Sequence, residues 1–429
     1  MNNNSVLKNN FLAVLNNLIY ETDWALVLVT AGLVYIGLTT LSLSQISKTY
    51  AIKQTQFMWV GMVLLFTARL LPYKIWLKKS VIIGLYLLNL ALLVIVMVNG
   101  HSAMGAQRWL SLGPITIQPS ELAKIVVIFS LALYLGRYRI YSFFDIIKTA
   151  LIILPPAVLV FKQPDLGTSL TFAAVFIGMV YYAGATVTDI VVIVSPLLSL
   201  IFNAIDLNYW HYYLVGLFFI LALFWRSKSM PLNIRALMLI AIIVANIGFG
   251  VVRPHLWGML KEYQQKRLTS FINPYTDPRG SGYHILQSLI AIGSGGLNGT
   301  GLGKGNQSQG AFIPERHTDF IYAVISEELG FKVSATIIIL YTILCLRALS
   351  IAGLAQKDPT ASILSVGIMC MFLFHVFLNI GMTIGIMPVA GVPLPFLSYG
   401  GTALLVDLFS IGVLESIRAS HSKLKQISF

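Results

Sequence analysis

Residues 81–98 read VIIGLYLLNLALLVIVMV, eighteen residues without a charged side chain. A run of this length is sufficient to cross the hydrocarbon core of a bilayer as a helix. Eleven other apolar runs are of similar or nearly sufficient length, at 24–43, 57–71, 120–136, 146–161, 166–184, 188–205, 211–225, 234–252, 318–346, 362–386 and 398–417. The sequence therefore predicts an all-α polytopic membrane protein with 10–12 transmembrane helices, of which the second and eighth are short.

The composition of the whole chain agrees with this prediction. Hydrophobic residues make up 57% of the 429 residues and charged residues only 10%, whereas an ordinary globular domain carries about 25% charge. The net charge of +13 does not indicate a nucleic-acid-binding protein, because the basic residues lie between apolar runs instead of forming one stripe. Cys345 and Cys370 both fall in apolar runs, which favours packing over a disulfide.

The orientation follows from the Lys and Arg residues of the short loops, which are concentrated in cytoplasmic loops of membrane proteins. The rich set of alternate loops contains Arg69, Lys74, Lys78, Lys79, Arg137, Arg139, Lys148, Arg226, Lys228, Arg235, Arg347, Lys357, Arg418, Lys423 and Lys425. Both termini are therefore predicted to be cytoplasmic. The loops at 99–119, 162–166, 253–317 and 387–398, which carry every dense polar motif, are predicted to face outward. No ATP is available there, so the chemistry must use an activated substrate or a gradient.

A glycine-rich run, GSGGLNGTGLGKGNQSQG at 293–310, resembles a phosphate-binding loop only superficially. The pattern GxxxxGK[ST] requires glycine at 298 and Ser or Thr at 305, but the chain has Asn298 and Gly305. No nucleotide is expected. The run predicts a mobile loop near a ligand, or else a plain flexible linker.

The segment AMGAQRWLSLGPITIQPSELAK, at 103–124, leads into a predicted helix. Glu121 and Lys124 are three residues apart, a spacing at which helical side chains can pair. Two interpretations stay open. The pair could be a structural ion pair at the membrane interface, or Lys124 could face a cavity with Arg108 and hold an anionic group.

A very tight turn, FKQPDLGTSL at 161–170, connects the next two predicted spans. Asp165 could cap the following helix, because its side chain can accept a backbone amide hydrogen bond there. The proximity of Lys162 to Asp165 at the mouth of the bundle also suits the binding of a polar substrate.

The long outer loop at 253–317 contains two further features before the glycine-rich run. Residues 255–272 place apolar side chains at helical spacing among basic ones, which predicts an amphipathic helix on the bilayer surface. Asp277 then stands on a turn stiffened by Pro274 and Pro278.

The loop ends in IPERHTDFIYAVISEELGF, at 313–331. Glu315, His317 and Asp319 could bind a metal ion, but their spacing matches no standard site. A polar network that includes Arg316 and fixes the long loop to the next helix is the favoured interpretation. Residues 385–405, GIMPVAGVPLPFLSYGGTALL, predict a re-entrant stretch that needs protein or a wet cavity around it.

Taken together, GAQRWL, QPSELAK, KQPDLGTS, DPRGSGYHILQS, PERHTDFIYAVISEELG and GVPLPFLSYGG closely resemble the shape, elongation, division and sporulation (SEDS) family. The resemblance covers nearly the whole chain in the correct order, so 1–429 would be a single integral membrane domain. Arg316 after Pro-Glu, and NQSQ before this motif, are similar to the RodA branch. The resemblance implies a peptidoglycan glycosyltransferase that polymerises lipid II at the outer face of the bacterial inner membrane during cell elongation. Its implied partners are a class B penicillin-binding protein, the elongation machinery and membrane lipids.

The chain departs from the family pattern in three respects. The family usually has ten spans, so the surplus predicts an extra helical hairpin at about 188–225. Lys332 and Asp407 stand where relatives usually carry apolar or small residues. Lys332 could reach Asp407 to form an ion pair; alternatively, a neutral Asp407 could bond to a hydroxyl group.

The implied reaction requires a base for the acceptor hydroxyl and positive charge for the departing pyrophosphate. Asp277 is the predicted catalytic base, with Asp165 as the rival that has a capping role. Lys124 and Arg108 suit the pyrophosphate, where a divalent cation, Mg²⁺ or Mn²⁺, could assist. The other predicted substrate-binding residues are Glu121, Lys162, Glu315, Arg316, His317, Asp319 and Ser398. A lipid II flippase is the alternative and a recruiting scaffold a third possibility, but the charged motifs crowd the outer half, which favours chemistry at one face.

Overall fold

The structure is a computed structural model, and it describes residues 20–43, 48–103, 106–113, 115–205, 207–225, 232–259, 265, 270–271, 273–278, 280, 282–310 and 312–427. Most of these residues are helical. The helices are α1 Trp24–Leu43, α2 Lys48–Leu70, α3 Tyr73–Trp76, α4 Lys79–Asn99, α5 Pro119–Arg137, α6 Phe143–Lys162, α7 Leu166–Tyr182, α8 Val187–Ile205, α9 Leu207–Trp225, α10 Leu232–Met259, α11 Tyr283–Ser294, α12 Asn306–Gln309, α13 Ile321–Leu354, α14 Pro359–Thr383 and α15 Gly401–Ile427. Three short strands, β1 His101–Ala103, β2 Ala106–Leu112 and β3 Ile115–Ile117, form an antiparallel sheet between α4 and α5.

Each of the twelve predicted apolar runs corresponds to a long helix in the described part of the chain. Six of these helices, α1, α4, α5, α6, α13 and α14, are long and apolar enough to cross a membrane. The shorter apolar helices are α7 and the stretches Val187–Leu200 of α8, Asn208–Leu223 of α9 and Leu239–Val252 of α10. The prediction of an all-α polytopic membrane protein is therefore confirmed.

Helix α5 lies near the centre of the bundle. Of its most apolar window 78% is buried, against 22% for the corresponding window of α4. It packs against α14, α4, α7 and α6, while α15 packs against α2 and α13 packs against α14 and α1. Large apolar side chains on α1, α2, α4 and α6 are exposed instead, as expected for helices that face lipid.

Helices α8, α9 and α10 pack on one another, and α8 also contacts α7. The trio is joined by a polar network centred on Asn246, whose amide donates to Ser195 Oγ (3.0 Å) and accepts from Tyr213 (3.2 Å). Trp210 donates to Ser199 Oγ at 2.8 Å. The predicted extra hairpin at about 188–225 coincides with α8 and α9, and its status as an insertion stays a prediction.

An ion-pair network ties the helix ends on the Lys- and Arg-rich side together. The Asp23 carboxylate is paired with Arg347 at 2.5 Å and with Arg418 at 2.6 Å. The backbone amide of Asp23 donates to both carboxylate oxygens of Glu415 at 3.1 Å. The start of α1 and the ends of α13 and α15 are thereby held together on the Lys- and Arg-rich side.

The long outer loop differs from its prediction at its start. Helix α10 extends to Met259, into the segment at 255–272 that was predicted to form a separate amphipathic surface helix. Most of the remainder of that segment lies outside the described residues. Helix α11 also belongs to this loop, and its buried side packs against α13 and α14. Cys345 and Cys370 are free thiols, as the packing interpretation expected.

Candidate active site

Asp165 lies at the start of α7 and is almost completely buried. Its carboxylate accepts hydrogen bonds from the Thr168 amide (3.3 Å), the Thr168 hydroxyl (3.0 Å), the Ser120 hydroxyl (3.1 Å) and the Gln118 amide group (3.3 Å). The predicted capping role is confirmed. These bonds use much of the acceptor capacity of the carboxylate.

Arg108 projects from β2 onto the same turn. Its guanidinium donates to the backbone carbonyls of Gln163 and Pro164, and its Nη1 lies 3.9 Å from Asp165 Oδ1. Lys162 is exposed, so Arg108 occupies the position beside Asp165 that sequence proximity suggested for Lys162. Arg108 therefore stabilises the tight turn, while 18% of its side chain remains exposed at the rim.

Lys124 is buried on α5 among ionisable side chains. Its Nζ lies 2.7 Å from Glu121 Oε2 and 3.1 Å from His375 Nε2, and only 2% of its side chain is exposed. The charges of Lys124 and Glu121 also act on the buried Asp407 of α15. The predicted Glu121–Lys124 pair therefore forms within a larger cluster. We call Glu121, Lys124, His375 and Asp407 the buried tetrad.

The predicted pairing of Asp407 with Lys332 is wrong. Lys332 is exposed on α13, and the opposite charge that acts on Asp407 is that of Lys124 on α5. His375 was missed by the sequence reasoning. An ionisable residue inside the apolar run at 362–386 is itself a signal of a polar partner, so this signal was available.

The segment before α13 combines an unusual backbone with stacked rings. Glu315 has a φ of 49°, and its carboxylate accepts from the Thr318 hydroxyl (3.2 Å) and lies 4.0 Å from His317 Nε2. His317 stacks on Tyr50 with ring centroids 4.1 Å apart. Burial lowers the pKa of His317; the Glu315 charge opposes this shift and Arg316 adds to it. Burial therefore favours the neutral form of His317.

Arg316 is buried, and its charge interacts with that of Glu328. Its Nη1 has no hydrogen-bond partner among the residues that the structure describes. The backbone carbonyl of Asp319 accepts from the Asn379 side chain at 3.0 Å, which ties the segment to α14. Within the described ranges no group of three or more His, Cys, Asp or Glu is arranged to hold a metal ion.

The glycine-rich run is held by two buried carboxylates on α13, so the prediction of a mobile loop or flexible linker is wrong for this part of the chain. Glu327 accepts from the backbone amides of Gln307 (2.7 Å) and Ser308 (2.8 Å). Glu328 accepts from the Gly303 amide (3.0 Å) and the Ser308 hydroxyl (2.7 Å). The favoured polar network between the long loop and the helix exists, but Glu327 and Glu328 provide its main bonds.

The stretch between α14 and α15 is non-helical and largely buried, as predicted for a re-entrant segment. Ser398 accepts from the Leu394 amide (2.8 Å) and donates to the Thr318 carbonyl (2.6 Å). Gln54 of α2 donates to the Ser398 carbonyl at 3.0 Å. Ser398 thus joins the re-entrant segment to the start of α13.

Asp277 follows a short 3₁₀ turn and, unlike Asp165, is exposed. Its Oδ1 accepts from the Gly280 amide at 3.0 Å, and its backbone carbonyl accepts from the Gly282 amide at 3.1 Å. An open, mainly apolar cleft of about 620 Å³ adjoins this turn and is lined by Tyr275, Pro278, Tyr283, Leu286, Gln287, Leu289 and Ile290. Asp277 is therefore a fixed but accessible carboxylate.

The predicted outer loops meet at one end of the bundle. Arg108 connects the loop at 99–119 to the tight turn, and the Gln118 amide donates to Thr402 Oγ1 of α15 at 3.2 Å. Ser398 connects the re-entrant segment to the long loop. These contacts gather the loop at 99–119, the tight turn, the re-entrant segment and the segment before α13 at one end of the bundle.

The FtsW/RodA/SpoVE family model, described as a cell cycle protein, matches residues 20–219 and 212–423 of the chain. The chain belongs to this family. The Escherichia coli K12 relative called peptidoglycan glycosyltransferase MrdB is 39% identical, over 79% of this chain and 78% of the relative. Peptidoglycan glycosyltransferase RodA of Treponema pallidum is 33% identical, over 93% of this chain and 98% of that protein.

Solved structures share the fold of this chain. One chain, from a study of how a peptidoglycan synthase complex coordinates polymerization and crosslinking, has a TM-score of 0.67 and 29% identity, covering 93% of this chain and 98% of that one. The crystal structure of the rod shape determining protein RodA of Thermus thermophilus gives a TM-score of 0.61 at 26% identity, with 93% and 97% coverage. The RodA-like character expected from the sequence is confirmed.

Proposed function

We propose that this chain is a peptidoglycan glycosyltransferase that polymerises lipid II during cell elongation. Its similarity to MrdB and RodA over most of its length carries this proposal. The substrate is amphiphilic, with a prenyl chain in the bilayer and sugars outside it. A carboxylate beside an apolar cleft at one end of a membrane bundle suits such a substrate.

Asp277 acts as the general base of this reaction. A base must come within about 3 Å of the proton that it removes, so it must be accessible to the acceptor sugar. Asp277 is exposed on a fixed turn. Asp165 is buried and already accepts several hydrogen bonds, which suits a structural role.

The proton of the acceptor hydroxyl passes to Asp277 while the oxygen of that hydroxyl forms a bond to the anomeric carbon of the donor. The bond from that carbon to the pyrophosphate breaks, and the undecaprenyl pyrophosphate leaves with the electron pair. A single displacement of this kind inverts the anomeric configuration. Positive charge near the leaving group lowers the barrier.

Arg108 at the rim supplies part of this charge, and a divalent cation such as Mg²⁺ or Mn²⁺ could supply more. Lys124 is buried and paired with Glu121 and His375. It therefore contributes by holding the helices of the site in place and by making the electrostatic potential of the site more positive. The wall around the substrate is formed by the segment before α13 and by the re-entrant segment, through Glu315, Arg316, His317, Asp319 and Ser398.

The chain works in the bacterial inner membrane with both termini in the cytoplasm and with a class B penicillin-binding protein that crosslinks the product. The Lys and Arg distribution supports this orientation. The relation to a chain of a peptidoglycan synthase complex supports the partner. The wider elongation machinery and the surrounding lipids complete its environment.

The test uses purified protein, fluorescent lipid II and gel analysis of the product. Asp277→Asn keeps the shape of the turn and removes the base, so polymerisation should fall about 10²–10⁴-fold while lipid II binding is retained. Asp145→Asn is the matched control, because Asp145 is a partly exposed carboxylate that also accepts backbone amide hydrogen bonds. That variant should polymerise like the wild type.

Three outcomes would contradict the proposal. Asp277→Asn activity within about threefold of wild type, with a folded but inactive Asp165→Asn, would assign the base to Asp165. Movement of lipid II across vesicle membranes without polymer would indicate a flippase. Binding of a penicillin-binding protein with neither activity would indicate a scaffold.

A further inference from the structure

The segment before α13 is joined to the re-entrant segment through two consecutive backbone carbonyls. The carbonyl of His317 accepts a hydrogen bond from the Tyr399 amide at 2.8 Å. The carbonyl of Thr318 accepts from the Ser398 hydroxyl at 2.6 Å. Both donors lie between α14 and α15, so these bonds connect two non-helical segments to each other.

The next carbonyl along the chain, that of Asp319, is bonded to a helix instead. The side-chain amide of Asn379 on α14 donates to the Asp319 carbonyl at 3.0 Å and to the Val392 carbonyl of the re-entrant segment at 2.7 Å. Because only the NH₂ group of an asparagine side chain can donate, these two acceptors determine the orientation of the amide. One side chain therefore binds both non-helical segments to the same helix.

Asn379 is completely buried, and its side-chain oxygen has no hydrogen-bond partner among the residues that the structure describes. A buried acceptor without a partner lowers the stability of the folded state. The stabilising polar contacts of this side chain are therefore the two bonds that it donates.

The re-entrant segment is closely packed at the point where Asn379 holds it. Gly167, at the start of α7, lies so near that an added Cβ would be 2.3 Å from Val392 Cγ2 and 2.7 Å from the Ala390 carbonyl oxygen. Val392 and Ala390 are both buried. A shift at 390–392 would therefore disturb the tight turn before α7 as well as the segment before α13.

We propose that Asn379 is a positioning residue, which fixes the segment before α13 and the re-entrant segment to α14 and thereby holds the wall of the active site. The effect on catalysis rests on the proposed function, but the effect on the two segments does not. A small displacement of groups around a reacting centre can lower the rate about a hundredfold. The apolar cleft beside Asp277 is lined by other residues, so the loss of Asn379 should change kcat more than KM.

Hydrogen–deuterium exchange of the full-length protein in detergent tests the two bonds without any assay of activity. Asn379→Leu has a similar shape but no donor, so exchange at 315–320 and at 389–394 should rise at least about tenfold. Exchange at 398–400 should change less, because the Gln54 side chain of α2 bonds to the backbone of this end of the re-entrant segment.

Ser365→Ala is the matched control. Ser365 is also buried on α14, but its hydroxyl donates to the Ala361 carbonyl of the same helix. This variant should exchange and polymerise like the wild type, because it changes a buried polar side chain of α14 without releasing either segment.

Polymerisation of lipid II then tests the positioning role. Asn379→Leu should lower kcat about ten- to hundredfold with KM within about twofold. Asn379→Asp is the second variant and decides the question if Asn379→Leu does not fold. It keeps the shape of the side chain but at most one donor hydrogen, so it should raise exchange at the same two segments and lower kcat selectively.

The proposal is overturned if a folded Asn379→Leu or Asn379→Asp protein exchanges like the wild type at both segments. It is equally overturned if the two segments exchange faster while kcat is unchanged, or if KM rises in place of a fall in kcat. A wild-type protein that makes no polymer would instead defeat the proposed function. The exchange measurement would still decide whether Asn379 fixes the two segments.

Discussion

Glu327 provides the most direct test of how the glycine-rich run is held. Its two carboxylate oxygens accept the amides of Gln307 and Ser308 at 2.7 and 2.8 Å, and Glu327 is completely buried. A hydrogen bond to a charged group contributes about 1.5–3 kcal/mol. Glu327→Ala removes both bonds and should therefore cost about 3–6 kcal/mol, which follows from two bonds of that strength.

Glu327→Gln should cost about half as much, because the remaining carbonyl oxygen can accept one amide while the new NH₂ group cannot accept the other. Gly305→Ala approaches the same contact from the loop. Its added Cβ would lie 2.4 Å from Ser308 Oγ and 2.6 Å from Glu327 Oε2, so these side chains or the run itself must shift and the contact with Glu327 is disturbed. Asn306→Ala is the control, because the Asn306 side chain is exposed in the same run.

The assay is thermal unfolding in detergent together with hydrogen–deuterium exchange at 299–310. We expect the exchange at this segment to rise in the order Asn306→Ala, Glu327→Gln, Glu327→Ala, with a parallel fall in the unfolding temperature. If Glu327→Ala unfolds within 1 °C of wild type and its run remains protected, the two bonds contribute nothing.

Three further predictions concern sidedness and the buried tetrad. A cysteine introduced at Asn306 should react with an impermeant thiol reagent in intact spheroplasts; reaction only after lysis would reverse the topology. Lys124→Ala should strongly reduce lipid II polymerisation. Lys124→Arg should restore it only in part, because a forked guanidinium does not replace a compact ammonium. A folded Lys124→Ala variant with normal polymerisation would show that Lys124 is not part of the site. Lys332→Met and Asp407→Leu should have additive effects on unfolding free energy, because Lys332 is exposed; a coupling above about 0.5 kcal/mol would show contact between the two.

The helices were predictable because a long apolar run has few alternatives in a bilayer. The second run was predicted to be short, at 57–71, yet α2 begins at Lys48. Hydropathy ignores the polar first turns, although Gln54 is buried there and bonds to the Ser398 carbonyl and the Gly400 amide. A polar residue with a distant protein partner is invisible to a local average.

The glycine-rich run also shows that local composition does not reveal a distant partner. Its composition predicts mobility, because glycine has the largest conformational freedom of any residue. The restraint comes from Glu327 and Glu328, about twenty residues further along the chain. Their role could not be derived from spacing, since it depends on α13 and the run lying side by side. Gly299 (φ 81°) allows this approach, because an added Cβ would lie 2.2 Å from the Glu328 carbonyl oxygen.

The two aspartates at the outer end illustrate what the structure adds to a motif. Asp165 and Asp277 are both carboxylates next to prolines in polar loops. The sequence distinguishes them by the helix that follows Asp165 and by the two prolines that stiffen the turn of Asp277. In the folded chain Asp165 is enclosed by Ser120, Thr168 and Arg108. Because its accepted bonds would have to break before it took a proton from a substrate, the reaction favours Asp277, whose carboxylate is exposed beside the cleft. The same burial makes Asp165 the more important of the two for stability, so its loss should affect folding before chemistry.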